Sequence, residues 1–153
     1  MYVTLVLAQT VVLPIASAAI ELVVSGGDPI LVTGRWFLFW GVGSRLLVAG
    51  LSQVVRPAFT AQRILGNAGD GANQVVQELG FSNLVVGLVA LIAASLVRDW
   101  TVPIAIVGGG FLGLAGLRHV AKPNLERNEL VATWTDLLVA VAMVILVARS
   151  VWP

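Results

Sequence analysis

The chain has 153 residues, of which 58% are hydrophobic and only 11% charged, with a mean hydropathy of +0.96. Soluble domains carry about 25% charged residues, so the composition excludes a water-soluble globular protein and places the chain in a membrane. A net charge of +1 with scattered Lys and Arg excludes a nucleic-acid footprint. The lack of cysteine excludes disulfides, thiolate metal sites and thiol redox chemistry by this chain alone.

One integral membrane domain, 1–153, with about five transmembrane helices fits this length. The first span covers about 2–24 and carries Gln9, Pro14 and Glu21. Pro14 predicts a bend, because proline removes one helical hydrogen bond. Ala16-Ser17-Ala18 has the form of a cleavage site, but no Lys or Arg precedes the apolar run, so a retained span is expected. Ser25–Pro29 reads as a short turn. The second span covers about 30–55, and Arg35 beside Trp36 and Trp40 reads as an interfacial anchor. Arg45 falls mid-span, where a charge costs ~2.5–3.5 kcal/mol on insertion scales. Gly41, Arg45, Ala49, Ser52, Gln53 and Arg56 share one stripe.

Pro57–Gly66 reads as a short interfacial helix with Ala58, Ala61, Ile64 and Leu65 toward lipid, and Asn67–Asn73 as a turn-rich loop. That loop lacks the alternating acidic ligands of a calcium loop. The third span, about 79–97, puts Gly80, Asn83, Gly87, Ala90 and Ala94 on one face. Small residues with one amide suit close helix contact in lipid, so the other spans are expected to gather around this face. The fourth span, about 102–120, holds Gly108-Gly109-Gly110. No Lys-Ser/Thr follows these glycines, so they read as packing residues rather than a phosphate loop. The fifth span, about 130–147, places Glu129, Thr133, Asp136, Ala140 and Met143 on one stripe.

Five spans leave Arg56, Arg63, Arg118, Lys122 and Arg127 at one side and Arg35, Arg98 and Arg149 at the other. The positive-inside rule then sets the N-terminus in the cytoplasm. Gln53, Glu78, Asn83, His119 and Asp136 fall in that same half, with Arg45 reaching toward them. Ionisable groups inside a bilayer face the bundle and pair. An ion pair between Arg45 and Asp136 or Glu78 is therefore expected, within a ligand-binding set of Arg45, Gln53, Glu78, Asn83, His119 and Asp136. The same groups also suit a purely structural role in fixing helix register. One His and separated acids give no compact metal motif, and no nucleophile–base spacing marks a catalytic site.

Gln77-Glu78-Leu79-Gly80-Phe81-Ser82-Asn83-Leu84 followed by Gly87 resembles the signature of an uncharacterised bacterial membrane-protein family in the domain-of-unknown-function series. Trp40-Gly41-Val42-Gly43 with Gly50-Leu51 is similar to its preceding span. Gly116-Leu117-Arg118-His119, Asn128 and Thr135-Asp136-Leu137 are similar to its last two. The likeness covers roughly Arg35 to Val147, and the pattern is more loosely similar to DoxX-like proteins, some of which accompany quinone-linked oxidoreductases. Gln53 departs from the His of many relatives, and the Asn67–Asn73 loop is poor in aromatics.

The expected architecture is an all-α, polytopic membrane helix bundle in a bacterial inner membrane. The expected role is non-catalytic, packing with copies or with subunits of a membrane complex among membrane lipids, around a polar pocket that holds a small ligand or a lipid headgroup. No cofactor is named by these residues. The alternatives are an accessory subunit of a quinone-linked oxidoreductase and a proton-coupled small-solute transporter.

Overall fold

The computed structural model describes residues 2–66, 69–121 and 127–152. The described residues fold into helices, five of which are long and apolar enough to cross a membrane. Helix α1 runs Val3–Ser25 and α2 runs Pro29–Val55. A short α3, Pro57–Leu65, leads to α4, Asp70–Ser95. A single 3-10 turn, Arg98–Trp100, opens α5, Thr101–Val120, and α6 is Arg127–Val151. The expected polar loop at 122–126 and the Asn67-Ala68 step lie outside the described residues.

Pro14 acts on α1 by widening it. With no N–H to offer the carbonyl of Thr10, and a ring that crowds it, the turn ahead of Pro14 opens into a π-helical stretch, Ala8–Val12. A second π-helical stretch, Leu38–Ser44, interrupts α2 and carries Gly41 and Gly43. The carboxylate of Asp28 caps α2 by accepting from the N–H groups of Ile30 at 2.9 Å and Leu31 at 3.0 Å, with Pro29 in the first turn. Gly66 ends α3 at φ 67°, a left-handed value.

Two expectations about these elements are corrected. Helix α4 begins at Asp70 rather than near Leu79, so Asp70–Asn73 form its first turn instead of a loop. The acidic side chain at the helix start complements the dipole and offsets the weak propensity of Gly71 and Asn73. In α3, Ala61 is fully buried rather than turned to lipid, while Ala58 is exposed; the side chains of Ile64 and Leu65 lie outside the described ones.

The bundle is centred on α2, not on the third span. Helix α2 packs against α1, α4, α5 and α6, whereas α4 makes its main contacts with α2, α3 and α5. The small face of α4 nonetheless does what its spacing predicts. Gly80, Asn83, Gly87, Ala90 and Ala94 are all buried. A Cβ at Gly87 would lie 2.7 Å from the backbone nitrogen of Leu47, and one at Gly50 would lie 2.7 Å from the carbonyl oxygen of Gly80. The backbones of α2 and α4 therefore touch, which only glycine allows. Gly109 of α5 lies instead against a side chain: a Cβ there would stand 2.5 Å from the Cβ of Met143. Leu38, Val42, Leu46, Ala105, Leu112, Val139, Met143 and Leu146 fill the core between α2, α5 and α6. Val12, Leu51, Val85, Leu114 and Val144 point outward from the five long helices and form the lipid-facing surface.

Candidate functional site

The antiparallel register of α2 and α6 sets the deepest polar contact. Gly34 of α2 meets Leu146, Gly41 meets Val139, and one turn further on Arg45 meets Asp136. Nη2 of Arg45 lies 2.5 Å from Oδ1 of Asp136, with side-chain exposures of 11% and 7%. This is a contact of charges rather than of aligned hydrogen bonds. Oδ1 of Asp136 and Nη1 of Arg45 are both buried without a hydrogen-bond partner among the described residues. Helix α5 closes the site from another side. A Cβ at Gly116 would lie 3.3 Å from the Cβ of Asp136, and His119 follows Gly116 by one turn of α5.

Helix α1 reaches the same level. Gln9, only 5% exposed, donates from Nε2 to Oγ of Ser44 at 2.7 Å, and Ser44 immediately precedes Arg45. The bond ties one π-helical stretch to the other, and such stretches recur at functional sites. Thr10 and Thr133 are buried nearby in sequence, and each returns its hydroxyl to the carbonyl four residues back. Gln9, Ser44, Arg45 and Asp136 thus form one polar layer within the bundle.

The remaining expected site residues do not join that layer. Asn83 donates from Nδ2 to Oε1 of Gln53 at 2.8 Å in a buried contact between α4 and α2. Gln53 follows Arg45 by two helical turns, so this second layer lies roughly 12 Å away along the axis at ~1.5 Å per residue. Glu78 faces outward and accepts from Nε2 of Gln74 at 2.9 Å. It takes no part in the Arg45 pair, because its place on α4 is on the side away from the buried Gly80–Asn83 face. His119 is half-buried at the end of α5. The single cluster expected from the sequence is therefore two layers, a half-buried histidine at the end of α5 and one surface carboxylate.

Two further ion pairs tie the opposite end of the bundle. Arg35, expected at the interface as an anchor, turns inward. Its guanidinium pairs with both oxygens of Glu21 on α1 and donates from Nη1 to the carbonyl of Ala94 at 3.1 Å, capping the last turn of α4. Trp36 donates to Glu21 at 2.8 Å and Trp40 to Oγ of Ser17 at 3.1 Å, so these two tryptophans bind α2 to α1. Arg149 of α6 holds Asp28 through Nη2 at 2.8 Å. The signal for the first pair was present in the sequence, since an ionisable Glu21 within an apolar run demands a partner. Gln9 and Ser44 carried no comparable signal. Among the described residues, no three His, Asp or Glu side chains gather closely enough to ligate a metal.

Five long apolar helices, with the Arg35–Glu21 and Arg45–Asp136 pairs turned into the bundle, define a small polytopic helical membrane protein. Residues 2–152 match the family of unknown function DUF6790, and the chain belongs to that family. The match extends beyond the Arg35–Val147 stretch that carried the resemblance in sequence. No curated protein and no solved structure matches the chain.

Proposed function

We propose that this protein is a non-catalytic membrane protein of the bacterial inner membrane whose Arg45–Asp136 layer holds a small ligand or lipid headgroup through an acceptor oxygen. The observation that carries this reading is Nη1 of Arg45, buried inside the bundle with no hydrogen-bond partner among the described residues. A guanidinium offers five N–H donors, and an unmet buried donor costs about 1–3 kcal/mol. A carbonyl, carboxylate or phosphate oxygen at that point satisfies it. Asp136 keeps the arginine neutralised while the site is empty and fixes its direction. His119 stands toward the α5 end as the mouth, and the Gln53–Asn83 pair forms a separate amide contact nearer the loops. Glu78 has no role at this site.

Self-association or docking to a partner subunit remains part of the proposal, and it uses the outer apolar faces. Gly80, Gly87, Gly109 and Gly116 are occupied within the chain, so the glycine ladders do not supply that interface. A quinone carbonyl is one acceptor that suits Arg45, which is how the DoxX-like likeness would express itself. The place of His119 one turn beyond Gly116, which packs against Asp136, favours a second reading, in which a proton reaches Asp136 through His119 and opens the pair to a solute. Native mass spectrometry in mild detergent tests the main reading. Wild type is expected to retain a bound small molecule or lipid that Arg45→Gln releases. An identical bare monomer for both proteins contradicts ligand and assembly together.

A further inference from the structure

The Arg45–Asp136 layer lies well inside the hydrocarbon, and that depth limits what reaches it. Helix α2 has 27 residues, about 40 Å at ~1.5 Å per residue, against a bilayer core of roughly 30 Å. About 5 Å of helix then projects at each end. Arg45 precedes Val55, the last residue of α2, by ten positions or about 15 Å, which sets it roughly 10 Å inside the core. Its side chain leans toward the helix N-terminus, as helical side chains do, and so deeper still. Asp136, nine positions into α6 from Arg127, lies at a matching depth. Phospholipid headgroups and their ester carbonyls stay outside the core, so they do not meet Nη1 of Arg45. Ser44 and Arg45 are nonetheless part-buried rather than sealed. At this depth the surface they leave open faces acyl chains, and a solute dissolved in the bilayer has an approach to the pair.

We infer that this layer takes an uncharged, apolar carbonyl compound from within the bilayer, rather than an anion or a lipid headgroup. The assignment rests on the layer being a ligand site and names the class of molecule it holds. Charge makes the first selection. Arg45 and Asp136 neutralise each other across 2.5 Å, so a neutral ligand leaves the layer neutral. A carboxylate or phosphate would set a second negative charge beside Asp136 against a single guanidinium, and like charges repel strongly where water is excluded. A cationic ligand meets the same objection from Arg45. Hydrogen-bonding capacity makes the second selection. Oδ1 of Asp136 is covered by Nη2 of Arg45, whereas Nη1 meets no acceptor among the described residues. The unmet group is a donor, and a carbonyl oxygen is an acceptor that carries no charge. Packing makes the third. Val42 on α2 and Val139 on α6 stand one turn from the pair and belong to the apolar core, so the body of the ligand meets hydrocarbon.

The experiment uses the full chain in nanodiscs loaded with di-n-octyl ketone labelled at its carbonyl carbon, with palmitate and heptadecane as competitors of matched length. The labelled stretch is read by infrared difference spectroscopy, since an oxygen that accepts from a guanidinium absorbs at lower frequency than one in hydrocarbon. Wild type is expected to show the shifted band and to keep it under about tenfold excess of either competitor. Arg45→Lys keeps a positive charge for Asp136 but has a single nitrogen, spent on that pair, and the shifted band is expected to vanish. Displacement by heptadecane means that the oxygen is not read and overturns the assignment, as does a full shifted band in Arg45→Lys. A separate arm uses palmitate labelled at its carboxylate. Palmitate held by wild type and lost in Arg45→Lys, with the ketone unshifted, overturns the ligand class and leaves the site standing. Neither probe shifted in wild type overturns site and class together.

Discussion

Removing one partner of the Arg45–Asp136 pair exposes how much of this fold depends on charge neutrality inside the bundle. Asp136→Asn keeps the size of the side chain, which matters because Gly116 leaves little room beside it. The substitution leaves the Arg45 guanidinium 11% exposed and without a counter-charge. Breaking a buried pair in this way costs about 3–5 kcal/mol, whereas replacing both partners by apolar groups is often neutral or stabilising. Arg45→Met and Asp136→Asn are therefore each expected to lose about 3 kcal/mol, and the double variant, which buries one neutral amide and no unpaired charge, to recover most of that loss. Unfolding titrated with sodium dodecyl sulfate in mixed micelles, read by tryptophan fluorescence, measures all four proteins. The coupling energy is expected to exceed about 2 kcal/mol. Single losses that add within about 0.5 kcal/mol would mean that the two charges act independently, and the reasoning from buried charge would be refuted.

Glycine positions separate contact from free space. Gly87→Ala places a Cβ against the backbones of Leu47 and Gly43 and is expected to destabilise by about 1–3 kcal/mol in the same titration, whereas Gly110→Ala meets nothing and gains up to about 1 kcal/mol of helix propensity. Equal effects at the two positions would contradict the α2–α4 contact. The carboxyl of Asp28 is held below the usual carboxylate range, first by the N–H of Leu31 and then by Ile30 and Arg149. A group with a depressed folded value stabilises at neutral pH and loses that contribution as pH falls through the folded value, below about pH 4. The thermal-stability gap between wild type and Asp28→Asn is therefore expected to close on acidification, and a gap that stays constant contradicts the role. Reporter fusions are expected to place the N-terminus and the α3 loop in the cytoplasm, and an external N-terminus reverses that orientation.

The apolar runs made five helices legible, because a bilayer core selects length and hydropathy before any packing is considered. Periodicity then exposed the buried face of α4, since Gly80, Asn83, Gly87, Ala90 and Ala94 recur at helical spacing whatever lies opposite. Arg45 was legible as a group in need of a carboxylate. The choice between Asp136 and Glu78 was not, because it depends on how α6 and α4 are rotated about their axes. The Glu21–Arg35 and Asp28–Arg149 pairs join residues from neighbouring or distant segments, and hydropathy treats each residue alone. The π-helical stretches shift register by one residue without altering composition, so Gln9 and Ser44 gave no sign of meeting. Turn-forming residues at 67–73 hid the early start of α4, where an acidic first turn outweighs poor propensity. The central place of α2 emerged only from packing.

High-resolution density for the purified protein in lipid, read at the guanidinium of Arg45, tests the central claim most directly. The account predicts ordered non-protein density, larger than a water, with an acceptor atom within about 3 Å of Nη1. Close packing of Nη1 against side chains, with nothing bound, would contradict it.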